Sequence, residues 1–171
     1  MPVSLTREEA YAFLRSRPSK LVITTIGANG YPHSVPTDYI VIEEDIYVVG
    51  RAKAQRVKNV GRNPHVSAVV DSGNTRQTFK GLLIQGDAAI INDAQTVLGI
   101  LQEVARQRGS SEDELPTKAW PGLLYIRINP TRLISWDYSR GPARTRFGPG
   151  KQRTWGSEVE ILKSGGSQEN E

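Results

Sequence analysis

RAKAQRVKNVGRNPHVSAVVD (residues 51–71) joins a cluster of cations to an alternating apolar run. From Ile46 to Val70 there is no Asp or Glu, while Arg51, Lys53, Arg56, Lys58 and Arg62 crowd the middle. Ala54 to Arg62 reads as a short helix carrying Val57 and Val60 inward, and Asn63-Pro64 precedes the strand VSAVVD (66–71). A helix that starts beside cations offers unpaired backbone N–H groups and a partial positive charge, and Arg or Lys adds charge-assisted bonds. One phosphate fits there. A duplex binder would spread its cations along a stripe with base-reading polar residues, which this spacing does not do. From charge alone, a solvated surface helix is the plainer alternative.

The flanking sequence predicts mostly strands. LVITTI (21–26) and SVPTDYIVI (34–42) are β-rich, with GANG (27–30) as the hairpin turn between them. EED (43–45) turns the chain into IYVVG (46–50), and GLLIQGDAAII (81–91) is a long strand. LLYIRI (123–128) and TRLISW (131–136) read as two further strands joined by Asn129-Pro130. Thr6 with Glu9 forms a capping box for a helix closed by Pro18. Asp93 caps another whose Val97, Leu98, Leu101, Val104 and Ala105 fall at helical spacing, ending near Gly109. Most intervals are too short for crossover helices, so the pattern predicts an antiparallel barrel with a few helices around it.

Length and composition narrow the function. At 171 residues the chain suits one domain, and its net charge of +4 is mild, so any anion preference is local. Without cysteine there is no disulfide, thiolate nucleophile or cysteine-based metal site. No apolar run approaches the ~20 residues of a membrane helix, and the N-terminus lacks an apolar signal core, which points to a soluble cytoplasmic protein. GxGxxG, Walker, HExxH and GxSxG motifs are all missing. His33 and His65, the two histidines, read as structural or surface residues, and Ser34 and Ser72 lack a visible base. The hard chemistry of an enzyme built this way would come from a bound cofactor. After Trp136 the chain turns Gly-, Pro- and Ser-rich: 163–171 reads as a solvated terminus, while 140–156 carries Arg140, Arg144, Arg146, Lys151 and Arg153 with Phe147 and Trp155 and could lie across a partner subunit or an anionic ligand. The expected division is a barrel over 1–140 and a basic tail over 141–171.

The order KLVITTIGANGYPHSVPTDYIV, IYVVG, QRVKNVGRNPHVSAVVD, KGLLIQGDAAIIND and RINPTRLISWDY resembles the pyridoxamine 5'-phosphate oxidase-like family of flavin-binding split barrels, over residues 6 to 140. The resemblance implies a mainly β fold, a six-stranded antiparallel split β-barrel of Greek-key type, which dimerises and forms two flavin or deazaflavin sites at the interface. It implies that Val35, Pro36 and Thr37 approach the ring, and that Val49, Gly50, Arg51 and Lys53 bind the phosphate side. Arg56 stands where the family has a phosphate-binding Lys or Arg, and Val57 beside it is counted with the site. Gln85 is implied as a cross-subunit contact near the ring. Trp136 resembles the aromatic residue near the end of the last strand, as a stacking or an interface-packing residue. Thr37 and Lys53 are the implied donors to the reduced ring.

The chain lacks the Arg-x-His pattern by which true pyridoxamine phosphate oxidases bind substrate, so a vitamin B6 oxidase is not expected. The resemblance instead implies an oxidoreductase that uses FMN, or alternatively the deazaflavin F420, on a small molecule. F420's longer acidic tail would draw on the arginines of 140–153. The alternatives are a non-catalytic flavin or haem carrier or sensor, haem being disfavoured by the lack of a His-rich tail, and a nucleic-acid-binding module using the basic tail.

Overall fold

The structure, a computed structural model, describes residues 4–75 and 77–140. Helix α1 (Arg7–Arg15) opens with the expected capping box: the Thr6 hydroxyl accepts from the Glu9 N–H and the Glu9 carboxylate from the Thr6 N–H. Strands β1 (Leu21–Ile26) and β2 (Pro32–Thr37) form an antiparallel hairpin, as do β3 (Tyr39–Ile42) and β4 (Asp45–Arg51). Helix α2 (Gln55–Arg62) leads into β5 (His65–Ser72) and β6 (Lys80–Ile91). Helix α3 (Ala94–Gln107) follows, capped by Asp93 accepting from the Thr96 N–H at 2.8 Å, and the long β7 (Leu123–Asp137) comes last.

These strands make one antiparallel sheet in the order β2-β1-β5-β6-β7-β4-β3. Its two edges, β2 and β3, are separated in sequence by Asp38 alone. A flat sheet of this width would hold its edges roughly 29 Å apart, so this one curls enough to bring the end of β2 and the start of β3 together at Asp38. The curl makes the barrel.

The sheet has seven strands, not the six implied by the resemblance. The stretch read as one strand over 34–42 is broken at Asp38, whose carboxylate is bound by Lys20 Nζ while the chain passes from one edge to the other. Conversely, the segments read separately at 123–128 and 131–136 are one strand. Pro130 sits opposite Gly86 and Arg132 opposite Gln85, which leaves Thr131 as the extra residue of a bulge. Its hydroxyl donates to the Gln85 carbonyl at 3.2 Å. A proline gives no N–H to the ladder, and a bulge is where a strand tolerates one.

Inside the curl, Leu21, Ile23, Val48, Leu82, Ile84 and Ile126 are fully buried, and Phe13, Leu14, Val57 and Val60 join them from α1 and α2. Outside, α3 sets Val97 and Ile100 against Tyr125, with Ile42 and Tyr47 beside them. The β3 edge is closed by side chains, Arg17 donating to the Tyr39 carbonyl at 2.6 Å and Gln107 to the Val41 carbonyl at 2.9 Å. The outer face of the other half stays partly open. There Pro36, Val22, Val69, Leu83 and Ile134 form one cross-strand row, in which Val22 is 37% exposed.

Candidate functional site

At the junction of β4 and α2 the chain gathers most of the basic residues singled out in the sequence. Gly50 is buried where the strand meets the helix: an added Cβ would lie 2.6 Å from Leu124 Cδ1 and 3.1 Å from Val57 Cγ2. That close approach brings the Val49 carbonyl within reach of the helix, and the Arg56 guanidinium donates to it at 2.9 Å. Val57 itself turns inward and packs in the core. Arg51 and Lys53 are exposed on the connecting loop, and Val49 is 36% exposed beside them.

The helix start is chemically open. Ala54 at the cap makes no side-chain bond, and the first turn carries no acidic residue. Among the described residues, none of Arg51, Lys53, Arg56, Lys58 or Arg62 is paired with a carboxylate. Arg56 Nε is buried and has no hydrogen-bond partner. A buried guanidinium N–H without a partner is costly. One phosphate at the helix start would meet the open N–H groups of the first turn together with this side chain.

A network that sequence reasoning missed fastens this helix to the sheet. Asn59, fully buried, accepts at Oδ1 from Gln55 Nε2 (2.8 Å) and Arg62 NH2 (2.6 Å), and donates from Nδ2 to Thr25 Oγ1 (2.9 Å). Thr25, also fully buried, donates to the His33 carbonyl on β2 at 3.5 Å. In sequence, Gln55 and Arg62 look like the solvated face of a basic helix, and Asn59, though a fixed element of the family pattern that RVKNVGRNP resembles, carries no sign of its burial or its partners.

Val35, Pro36 and Thr37 lie on the edge strand β2. Val35 and Thr37 turn toward the core with their cross-strand partners Ile23 and Leu21, while Pro36 is exposed. The Thr37 hydroxyl donates to the Asp38 carbonyl at 3.3 Å. Proline lacks an N–H, so Pro32 and Pro36 fix the parity of the β1–β2 ladder. The outward backbone groups of β2 belong to residues 32, 34 and 36.

Gln85 and Trp136 stand apart from the basic loop. Gln85 is exposed in a groove of about 350 Å³ on the outer face, with Thr24, Ser67, Thr131 and the pair His65–Asp87 (2.7 Å). Trp136 lies over Gly81, where an added Cβ would come within 2.3 Å of the indole, and its ring packs on Phe79 at 5.9 Å between centroids. The indole Nε1 is buried and unpartnered. The basic tail from 141 onward lies outside the described residues.

Residues 6–137 match the family model described as pyridoxamine 5'-phosphate oxidase. A curated relative from Streptomyces rimosus, a 5a,11a-dehydrotetracycline/5a,11a-dehydrooxytetracycline reductase, is 28% identical over 120 residues, covering 67% of this chain and 71% of its own. Among solved structures, a conserved hypothetical protein from Mycobacterium tuberculosis superposes with a TM-score of 0.72 at 23% identity, covering 86% of this chain and 96% of that one. An F420 reductase superposes with a TM-score of 0.56 at 18% identity, covering 77% and 98%.

Proposed function

Because the chain belongs to the pyridoxamine 5'-phosphate oxidase family, we propose that it is an oxidoreductase holding a flavin-class cofactor by its phosphate at the start of α2. The observation that carries this reading is Arg56. Its Nε is buried without a partner at an uncapped helix start, beside the unpaired cations Arg51 and Lys53. In this reading Arg51, Lys53 and Arg56 bind the phosphate, Val49, Gly50 and Val57 shape the loop that presents it, and Val35, Pro36 and Thr37 support the ring along the β2 edge. FMN is the first candidate, and F420 the alternative that the same phosphate site admits.

When bound, such a cofactor supplies hydride transfer through its own ring, so the protein's task is placement and exclusion of water. In this reading backbone groups of the β2 edge would orient the ring and Lys53 would stabilise charge on its pyrimidine end, while Thr37, buried with its hydroxyl donating to the Asp38 carbonyl, would support the strand behind it. The Streptomyces rimosus relative, named as a reductase of two dehydro compounds, suggests the acceptor class: a carbon–carbon double bond in a small molecule, reduced by one hydride and one proton. A second copy of the chain, docked on the row Pro36–Val22–Val69–Leu83–Ile134, would bring the partner's Gln85 and Trp136 toward the ring.

Titration with FMN and, separately, F420, each followed by ultrafiltration and an absorbance spectrum, tests the proposal. Retention of one cofactor at micromolar or tighter affinity supports it and names the cofactor. Retention of neither returns the basic loop to the role of a solvated surface.

A further inference from the structure

The hydrogen-bond chain Gln55–Asn59–Thr25–His33 runs from the first turn of α2, through β1, to the edge strand β2. Its direction is set by chemistry. Arg62 can only donate, so the atom of Asn59 facing it at 2.6 Å is the oxygen, and the amide nitrogen faces Thr25. The Thr25 oxygen is then an acceptor toward Asn59, and its proton is left for the His33 carbonyl. Both lone-pair directions of Asn59 Oδ1 are filled, and the side chains of Asn59 and Thr25 are fully enclosed. Neither can be replaced by water.

Gln55 is the first residue of α2 and Arg56 the second, so holding the Gln55 amide fixes the rotation of the turn that carries Arg56 and the open N–H groups. At its other end the chain reaches β2 through the long 3.5 Å contact of Thr25 with the His33 carbonyl, which adds to the ladder pairing of the same two residues two positions before Val35. We infer that Asn59 is a positioning residue that couples the phosphate end of the site on α2 to its ring end on β2. This inference rests on the cofactor reading above, but the coupling is a property of the protein by itself. Apolar contacts of Val57 and Val60 would keep the helix on the barrel without it, though free to rotate.

Asn59→Leu keeps the volume and removes the bonds; Asn59→Asp keeps the acceptors for Gln55 and Arg62 but has no N–H for Thr25, so it separates the bonds within α2 from the link to the sheet. Two readouts separate positioning from plain structural support. In amide hydrogen exchange of the cofactor-free protein, Asn59→Leu should speed exchange both at the bonded Val57 and Lys58 amides of α2 and at the ladder amides of His33 and Val35 on β2, and Thr25→Val should do the same. Faster exchange in α2 alone, or uniformly over the barrel, overturns the coupling. In cofactor titration of the folded variant, affinity should fall about tenfold, the worth of one displaced charge-assisted bond. That loss should shrink when Arg56→Ala is already present, because Asn59 acts through Arg56. Full additivity of the two losses overturns the inference. If the unaltered protein retains no flavin, the cofactor reading fails by itself, and the exchange experiment still decides for or against the coupling.

Discussion

Arg56 and Val49 are joined by a 2.9 Å bond from guanidinium to main-chain carbonyl, so the side chain proposed to hold phosphate is also the one that ties the end of β4 to α2. One donor is spent on the protein while Nε faces a buried, partnerless position. Arg56→Ala should therefore weaken cofactor affinity by about 1–3 kcal/mol, the range of a charge-assisted hydrogen bond. Arg56→Lys should recover only part, since an ammonium cannot serve the carbonyl and an anion in the same fixed fork. Titration at two salt concentrations measures both. Unchanged affinity in Arg56→Ala would remove this residue from the phosphate site.

The outer row Pro36–Val22–Val69–Leu83–Ile134 is a stretch of cross-strand apolar side chains left partly open on the described sheet. Covering it with a second copy would remove from water the row in which Val22, near the start of β1, is 37% exposed. Light scattering should give the mass of a dimer. Val22→Lys should shift it toward a monomer and lower cofactor retention with it, because the sites are proposed to be shared. A monomeric variant with full retention argues for a site complete within one chain.

Local chemistry was legible in the sequence wherever one residue's shape decides it. Thr6 with Glu9, and Asp93 before α3, each announced the helix cap that the structure carries. Pairing between distant strands was less so. Asp38 gives no sign of a strand break, because Tyr39, Ile40 and Val41 are all buried and continue the apolar run past it. Asn129-Pro130 looked like a connection, and becomes strand because Thr131 bulges out opposite Gln85. Asn59 stayed hidden for a different reason: burial of a polar side chain depends on what packs over it, here Thr25 from a strand 34 positions away.

Gly81 and Trp136 test the packing of the last strand. Their cross-strand pairing lays the indole over the glycine, and an added Cβ would meet Cζ2 at 2.3 Å and Cε2 at 2.5 Å. Gly81→Ala should cost about 1–3 kcal/mol, as overpacking of a tight contact does, and should move the indole away from Phe79. Thermal melts read the first effect and tryptophan fluorescence the second. An unshifted melt would mean that Trp136 is free to swing out.

Tyr39 gives the chain a defined alkaline limit. It is 4% exposed, its hydroxyl donates to the Leu14 carbonyl at 2.8 Å, and burial pushes its pKa up to about 12. The unfolded phenol titrates near 10, so the folded state favours the protonated form. That stabilisation is complete below about pH 10 and is lost as pH rises through about 12, a change of about 2–3 kcal/mol. Tyr11, Tyr47 and Tyr125 are raised in the same sense, each first by burial. Urea midpoints taken near pH 8 and again near pH 11 should fall, with the slope reduced but not abolished in Tyr39→Phe. The same variant should lose about 0.5–1.5 kcal/mol at neutral pH, where the bond to Leu14 is the only thing removed. An alkaline slope identical in Tyr39→Phe would assign the limit to the other three tyrosines.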